Sequence, residues 1–79
     1  MKRVEVEWLD TKSVSRWWGT REVRRSRPMR CRTIDYLVKA TPKRIVLAHS
    51  RAKDGGMDHT VIPRGCVVKI TELRKEKKR

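Results

Sequence analysis

The sequence predicts an all-β domain, a small five-stranded barrel with a short helix or an irregular insert after the first strand. Apolar residues alternate with polar ones in short runs, and turn-forming residues separate these runs. The chain has 79 residues, of which 37% are hydrophobic and none is phenylalanine. Since so short a chain buries little apolar surface, we expect a curled, closed sheet whose burial is completed by further copies of the chain.

The first two strands follow from period-two alternation. Val4, Val6 and Trp8 alternate with two glutamates and a leucine, which is typical of a strand with one solvated face. In residues 34–40 the apolar set that includes Tyr36 alternates with an aspartate, a leucine and a lysine, so we expect the apolar set to face the core. Tyr36 is therefore expected to be structural.

Turn residues locate the other three strands. The turn at 41–44 contains proline and separates the second strand from an apolar run at 45–48. An Asp-Gly reversal within 53–58 precedes a strand at 60–62. A Pro-Arg-Gly break then leads into the last strand, 66–70. The buried face of this strand is expected to carry Cys66, Val68 and Ile70.

The domain organisation follows from these elements. Residues 1–73 form one barrel domain with an arginine-rich insert at 14–32, and the charged tail 74–79 is expected to be disordered. Within the insert, Thr20 is positioned to cap a short helix that Pro28 prevents from continuing.

The charge favours a polyanionic partner. Lysine and arginine number 22 against 9 acidic residues, a net charge of +13, which favours nucleic acid or a small nucleotide over a neutral ligand. Trp17 and Trp18 are candidate stacking platforms for bases, and we expect one of them to be buried. The residues expected to bind nucleic acid are Arg21, Arg24, Arg25, Arg27, Arg30, Lys43, Arg44 and Arg64.

Other functional classes lack a pattern in this sequence. Cys31, Cys66, His49 and His59 show no paired metal-ligand spacing, so no metal or cofactor is expected. No nucleophile, base and orienting group stand in a recognisable arrangement, so we expect no enzyme. Acidic residues occupy the place of a secretory leader, and no apolar run approaches membrane-spanning length. We expect a cytoplasmic protein with reduced thiols and no membrane partner.

The strand pattern resembles the Sm-like family of SH3-like barrels. Residues 35–38, the turn at 41–44 and residues 45–48 stand where the first half of the Sm signature would lie. The run at 61–70, with its Pro-Arg-Gly turn before an apolar strand, is similar to the second half and is the closer match. This resemblance implies a homo-oligomeric ring, in which the fourth strand of one subunit pairs with the fifth strand of the next.

More narrowly, the chain resembles small bacteriophage proteins of Sm-like architecture. These also begin with a strand like the Val-Glu-Trp run at 6–8, carry a strand like 36–38, and end with an Ile-Pro-Arg-Gly-Cys element like 62–66. The resemblance covers residues 3–9 and 31–73. It implies a phage origin, and a host-cytoplasmic location in that case.

The resemblance implies only part of the family's binding site. The turn at 41–44 has neither the asparagine nor the acid of the family's uridine pocket, and only Arg64 matches by position. We therefore expect a nucleic-acid-binding ring, with RNA as the ligand, that lacks that pocket. Two alternatives remain: a phage counter-defence protein that sequesters a cyclic or short oligonucleotide signal, and a structural assembly protein without a specific ligand.

Overall fold

The computed structural model describes residues 1–13 and 17–74, which form five antiparallel strands and two short helices. This confirms the predicted all-β class and the small barrel-like fold. In chain order the elements are β1 (Arg3–Asp10), α1 (Thr20–Arg25), β2 (Met29–Ala40), β3 (Arg44–Arg51), β4 (Met57–Pro63), a 3₁₀ helix (Arg64–Cys66) and β5 (Val67–Leu73).

The strands form a single sheet in the order β4-β3-β2-β1-β5. In the described part of the chain, β4 and β5 pair with one neighbour each and not with each other, so the expected closure by hydrogen bonds is not present. The pairing is irregular at three places: between Leu37 and Lys39, between Ala48 and Ser50, and between Glu7 and Trp8. Such bulges bend strands and increase their twist, which curls this sheet.

One small apolar core lies inside the curl. Its fully buried members come from three strands, and side chains of β5 and the 3₁₀ helix pack against them. A flat sheet would hold β4 and β5 about 19 Å apart, so a core shared by both edges requires strong curvature. The buried cluster consists of Val4, Val6, Ile45, Leu47 and Ile62.

Trp8 packs against this core, as its place on the apolar face of β1 predicts. Its indole Nε1–H donates a hydrogen bond to the Thr33 hydroxyl across the β1–β2 ladder, with an N–O distance of 3.0 Å. The one polar atom of the ring therefore has a partner inside the curl. The contact also holds Thr33 on the inner face of the sheet.

The face assignment predicted for β2 is wrong. Directly paired residues of neighbouring strands point to the same side, and inward-facing Val4 pairs with Asp35. The inner face of β2 therefore carries Asp35 and Leu37, while Ile34 and Tyr36 are exposed on the outer face. The alternation was read correctly, but it does not say which of its two sets faces inward.

The buried face predicted for β5 needs a similar correction. Val67 pairs with Trp8 and Ile70 pairs with Val6, so these two contact the core. Val68 falls at the bulge and is exposed. Cys66 lies in the 3₁₀ helix rather than in β5, although it does pack against the core.

The predicted turns are confirmed. The backbone N–H groups of Lys43 and Arg44 donate to the Thr41 hydroxyl, which closes the turn between β2 and β3. In the β3–β4 turn, the Gly56 N–H donates to the Asp54 carboxylate at 2.9 Å. Gly55 there has a φ of 94°, a left-handed conformation that favours glycine.

The insert is shorter than predicted because β2 begins at Met29, so the last residues of the predicted segment 14–32 belong to a strand. The short helix is present, but Thr20 is its first residue, and Gly19 occupies the capping position without a side-chain hydrogen bond. The predicted Thr20 cap is therefore wrong. Residues 14–16 and the tail beyond Arg74 lie outside the described residues, so the disorder predicted for the tail stays a prediction.

Candidate nucleic-acid interface

Five arginines of α1 and of the residues that follow it, up to the start of β2, form an exposed basic surface. All five are solvent-exposed, and among the described residues none of the five forms an ion pair with a carboxylate. Their guanidinium groups are thus free to meet phosphate oxygens, and the planar fork suits bidentate contacts. We call this surface the insert patch; it comprises Arg21, Arg24, Arg25, Arg27 and Arg30.

A cleft of about 430 Å³ lies within the insert patch, beside the Trp18 ring. Lys12 lies over this ring, with its ammonium nitrogen 5.9 Å from the ring centroid. Arg25, Arg27 and Arg30 also line the cleft, together with one carboxylate, that of Glu22. An aromatic face next to several cations is an arrangement that can stack on a base and hold its phosphate.

Neither tryptophan of the insert is buried, although we expected one of them to be. Trp17 is fully exposed, and Trp18 is 40% exposed. The helix between the tryptophans and β2 buries none of its residues and so does not pack the two rings into a core. The Trp17 ring is therefore fully accessible to an unpaired base, whereas the Trp18 ring is accessible in part, because Lys12 lies over it.

A second basic group lies at the other end of β2. Arg44 pairs with Pro63 at the start of the β3–β4 ladder. The Arg64 backbone N–H donates to the Lys43 carbonyl at 2.9 Å, which brings the turn at 41–44 and the 3₁₀ helix together. We call Lys43, Arg44 and Arg64 the turn patch. It joins residues that are some 20 positions apart in the sequence.

The two patches are not one surface. Arg30 is the second residue of β2 and the turn at 41–44 follows the end of this strand, so about 36 Å of extended strand separates the two patches. Arg32, between them, is already paired: its guanidinium nitrogen lies 2.9 Å from the Glu7 carboxylate. A ligand that contacts both patches must therefore be long, or must contact different subunits of an assembly.

Sequence reasoning missed a polar cluster inside the curl. The His49 Nδ1 atom lies 2.6 Å from Asp35 Oδ2, and its Nε2 atom lies 2.6 Å from the Thr60 hydroxyl. The Asp35 side chain is only 12% exposed. The three residues lie on three different strands, so no local pattern in the sequence could have revealed the cluster.

Carboxylate, imidazole and hydroxyl in this order resemble the arrangement that activates a nucleophile. That chemistry requires the carboxylate to orient the imidazole through a hydrogen bond. Here the close contact is not aligned as a hydrogen bond, and Asp35 Oδ2 is buried without a hydrogen-bond partner among the described residues. The cluster therefore fits better as a structural contact that links β2, β3 and β4.

The cysteines and histidines form no metal centre in the described part of the chain, where no three ligand-type side chains lie together. Cys31 and Cys66 are both free thiols. No helix within residues 1–13 and 17–74 is long and apolar enough to cross a membrane.

Comparison with known proteins adds no relative: no protein family, characterised protein or solved structure matches this chain.

Proposed function

We propose that this protein binds single-stranded nucleic acid, RNA in particular, as a homo-oligomeric ring of Sm-like subunits. The observation that carries the proposal is the insert patch, five exposed arginines beside two exposed tryptophans. Arginine supplies the attraction for phosphate, and the indole rings supply stacking that only unpaired bases can use. RNA is preferred because of the resemblance to Sm-like proteins.

The edges of the sheet support the ring. β4 and β5, the two strands that the resemblance pairs between subunits, are the two edge strands of this sheet. Each presents an exposed valine, Val61 on β4 and Val68 on β5. A bare edge offers unpaired N–H and C=O groups to another chain. An intermolecular β4–β5 ladder would use both edges and bury apolar surface that the small core leaves exposed.

Binding to a labelled single-stranded RNA, measured by fluorescence anisotropy over a range of salt concentrations, tests the proposal. If about six phosphates are neutralised, log K falls with log salt with a slope of about −4 to −5. The double substitution Arg24→Ala and Arg25→Ala should make the slope shallower by about 1.4.

Arg32→Ala is the matched control, since the Arg32 guanidinium is already paired with Glu7. It removes one positive charge but should leave the slope within about 0.3 of the wild-type value. Salt-independent binding by the wild-type protein, or no binding, would contradict the proposal. Equal affinity for DNA of the same sequence would remove the preference for RNA but not the binding function.

A further inference from the structure

A pocket on the outer face of the sheet stands apart from both basic patches. It measures about 380 Å³ and lies beside the ring of Tyr36, which is 46% exposed. Because the register turns Tyr36 away from the core, its ring has no structural role in the interior. The lining residues are Met1, Tyr36, Ala48, Ser50, Arg51 and Met57.

The register explains why there is space here. Tyr36 on β2 pairs with Ala48 on β3, and Ala48 pairs with His59 on β4. A single methyl group therefore stands between two ring-bearing side chains, whose backbones are about 10 Å apart across two strand spacings. Ala48 is almost fully buried and forms the floor of the pocket. Such a space accepts a flat ring against the face of Tyr36.

The lining has the chemistry that a nucleotide requires. The Tyr36 ring offers a stacking face, and the thioethers of Met1 and Met57 are adaptable apolar contacts for a base. Arg51 supplies a cation for the phosphate, and the Ser50 hydroxyl can donate to or accept from a base edge. No carboxylate lines the pocket among the described residues, so nothing there repels a phosphate.

We propose that this pocket binds one unpaired nucleobase, with its phosphate, of the strand held by the insert patch. The inference rests on the proposed function. The distance from the insert to the pocket follows from the β1–β2 ladder. Its pair at the insert is Asp10 and Met29, and its pair at the pocket is Arg3 and Tyr36, seven residue steps or about 23 Å away. One continuous single strand can cover that distance. The insert patch then supplies affinity for the backbone, and the pocket distinguishes unpaired from paired bases.

Binding of Tyr36→Ala, Tyr36→Phe and Arg51→Ala to a single-stranded RNA of about 12 nucleotides tests this. Because stacking on one ring is worth about 1–3 kcal/mol, Tyr36→Ala should weaken binding by about 5-fold to 150-fold. It should leave the salt slope unchanged, since no phosphate contact is lost. Tyr36→Phe keeps the stacking face and should bind within about 2-fold of the wild type. Arg51→Ala should make the slope shallower by about 0.7.

A duplex of the same sequence is the second arm, since its bases are stacked within the helix. Tyr36→Ala should bind the duplex as the wild type does, and its circular dichroism and oligomeric mass should be unchanged. If Tyr36→Ala binds the single strand as tightly as the wild type does, the proposal that the pocket binds a base is wrong, while the proposed function still stands. An equal loss with Tyr36→Phe, or an equal loss for the duplex, would also overturn the proposal for the pocket. If the wild type binds neither ligand, the pocket and the proposed function fail together.

Discussion

Asp35 shows how a single residue is constrained by its neighbours. Its pairing with Val4 places a carboxylate on the inner face of the sheet, where its side chain is only 12% exposed and loses contact with water. His49 on β3 contacts this carboxylate through its Nδ1 atom. The Thr60 hydroxyl is hydrogen-bonded to the other imidazole nitrogen, Nε2, and so restricts the orientation of the His49 ring.

Replacing His49 should therefore destabilise the fold. We expect His49→Ala to lower the free energy of unfolding by about 1–2 kcal/mol, because it leaves the Asp35 carboxylate without its contact. We expect a small loss in the free energy of unfolding because the His49 side chain is 37% exposed, so water replaces part of the lost contact. Urea denaturation measures the change.

Thr60→Val is the control for this cluster, since it removes only the hydroxyl partner of a histidine that solvent can still reach. It should cost about 0.5–1 kcal/mol. A loss of under 0.5 kcal/mol for His49→Ala would show that the contact with Asp35 contributes nothing measurable.

The same residues show where sequence reasoning stops. Alternation in β2 separates its two faces correctly, but the face that turns inward is decided by the register with β1. Choosing the more apolar set put Tyr36 inside and Asp35 outside, the reverse of what the structure has. As a result, both the polar cluster and the outer pocket were invisible from the sequence, since each joins residues of separate strands.

Among the elements, β3 supplies two of the five side chains of the buried cluster. Ile45 and Leu47 are both fully buried, and β3 pairs with β2 on one side and β4 on the other. Leu47→Ala should therefore cost about 2–5 kcal/mol, from lost burial and the cavity left behind. Thermal unfolding followed by circular dichroism measures it.

Val46→Ala is the matched control in the same strand, because Val46 is only partly buried. It should cost under about 1 kcal/mol. Similar losses at both positions would mean that Leu47 is not at the centre of the core.

The insert is an addition to the sheet rather than a part of it. The β1–β2 ladder continues to the pair formed by Asp10 and Met29, and α1 buries none of its residues. Replacing residues 11–28 by an Asn-Gly turn should therefore leave a folded sheet. The salt slope of RNA binding should fall by roughly 3, since four arginines of the insert patch are removed.

Circular dichroism and RNA anisotropy on this deletion check both parts. A deletion that unfolds the protein would show that the insert supports the sheet. A folded deletion with the wild-type salt slope would show that the arginines do not meet the ligand.

Elements were predictable where local chemistry decides them. Proline and Asp-Gly located both hairpin turns, and Pro28 limited the insert helix correctly, although the residue chosen as its cap was wrong. The length of β2 was not predictable, since its first residues are arginine-rich and form a strand only because β1 extends far enough to pair with them.

At the scale of the whole molecule, the two edge strands of the sheet are the proposed contacts between subunits. Val61 lies exposed on β4, and a charge at an edge opposes pairing with another chain. If rings form through β4 and β5, Val61→Lys should convert the oligomer to monomers. Size-exclusion chromatography with light scattering measures the mass.

Ile34→Lys is the control, because Ile34 is also an exposed apolar residue but lies on β2, in the interior of the sheet. It should leave the oligomer intact. Loss of the oligomer in both variants would place the interface on the outer face of the sheet instead of at its edges.

Native mass spectrometry of the wild-type protein, with and without a single-stranded RNA, decides whether the chain forms a ring that binds RNA. We expect one defined multiple of the 9.4 kDa chain, shifted by whole RNA molecules that dissociate as salt is raised. A single-chain mass that gains no RNA would contradict it.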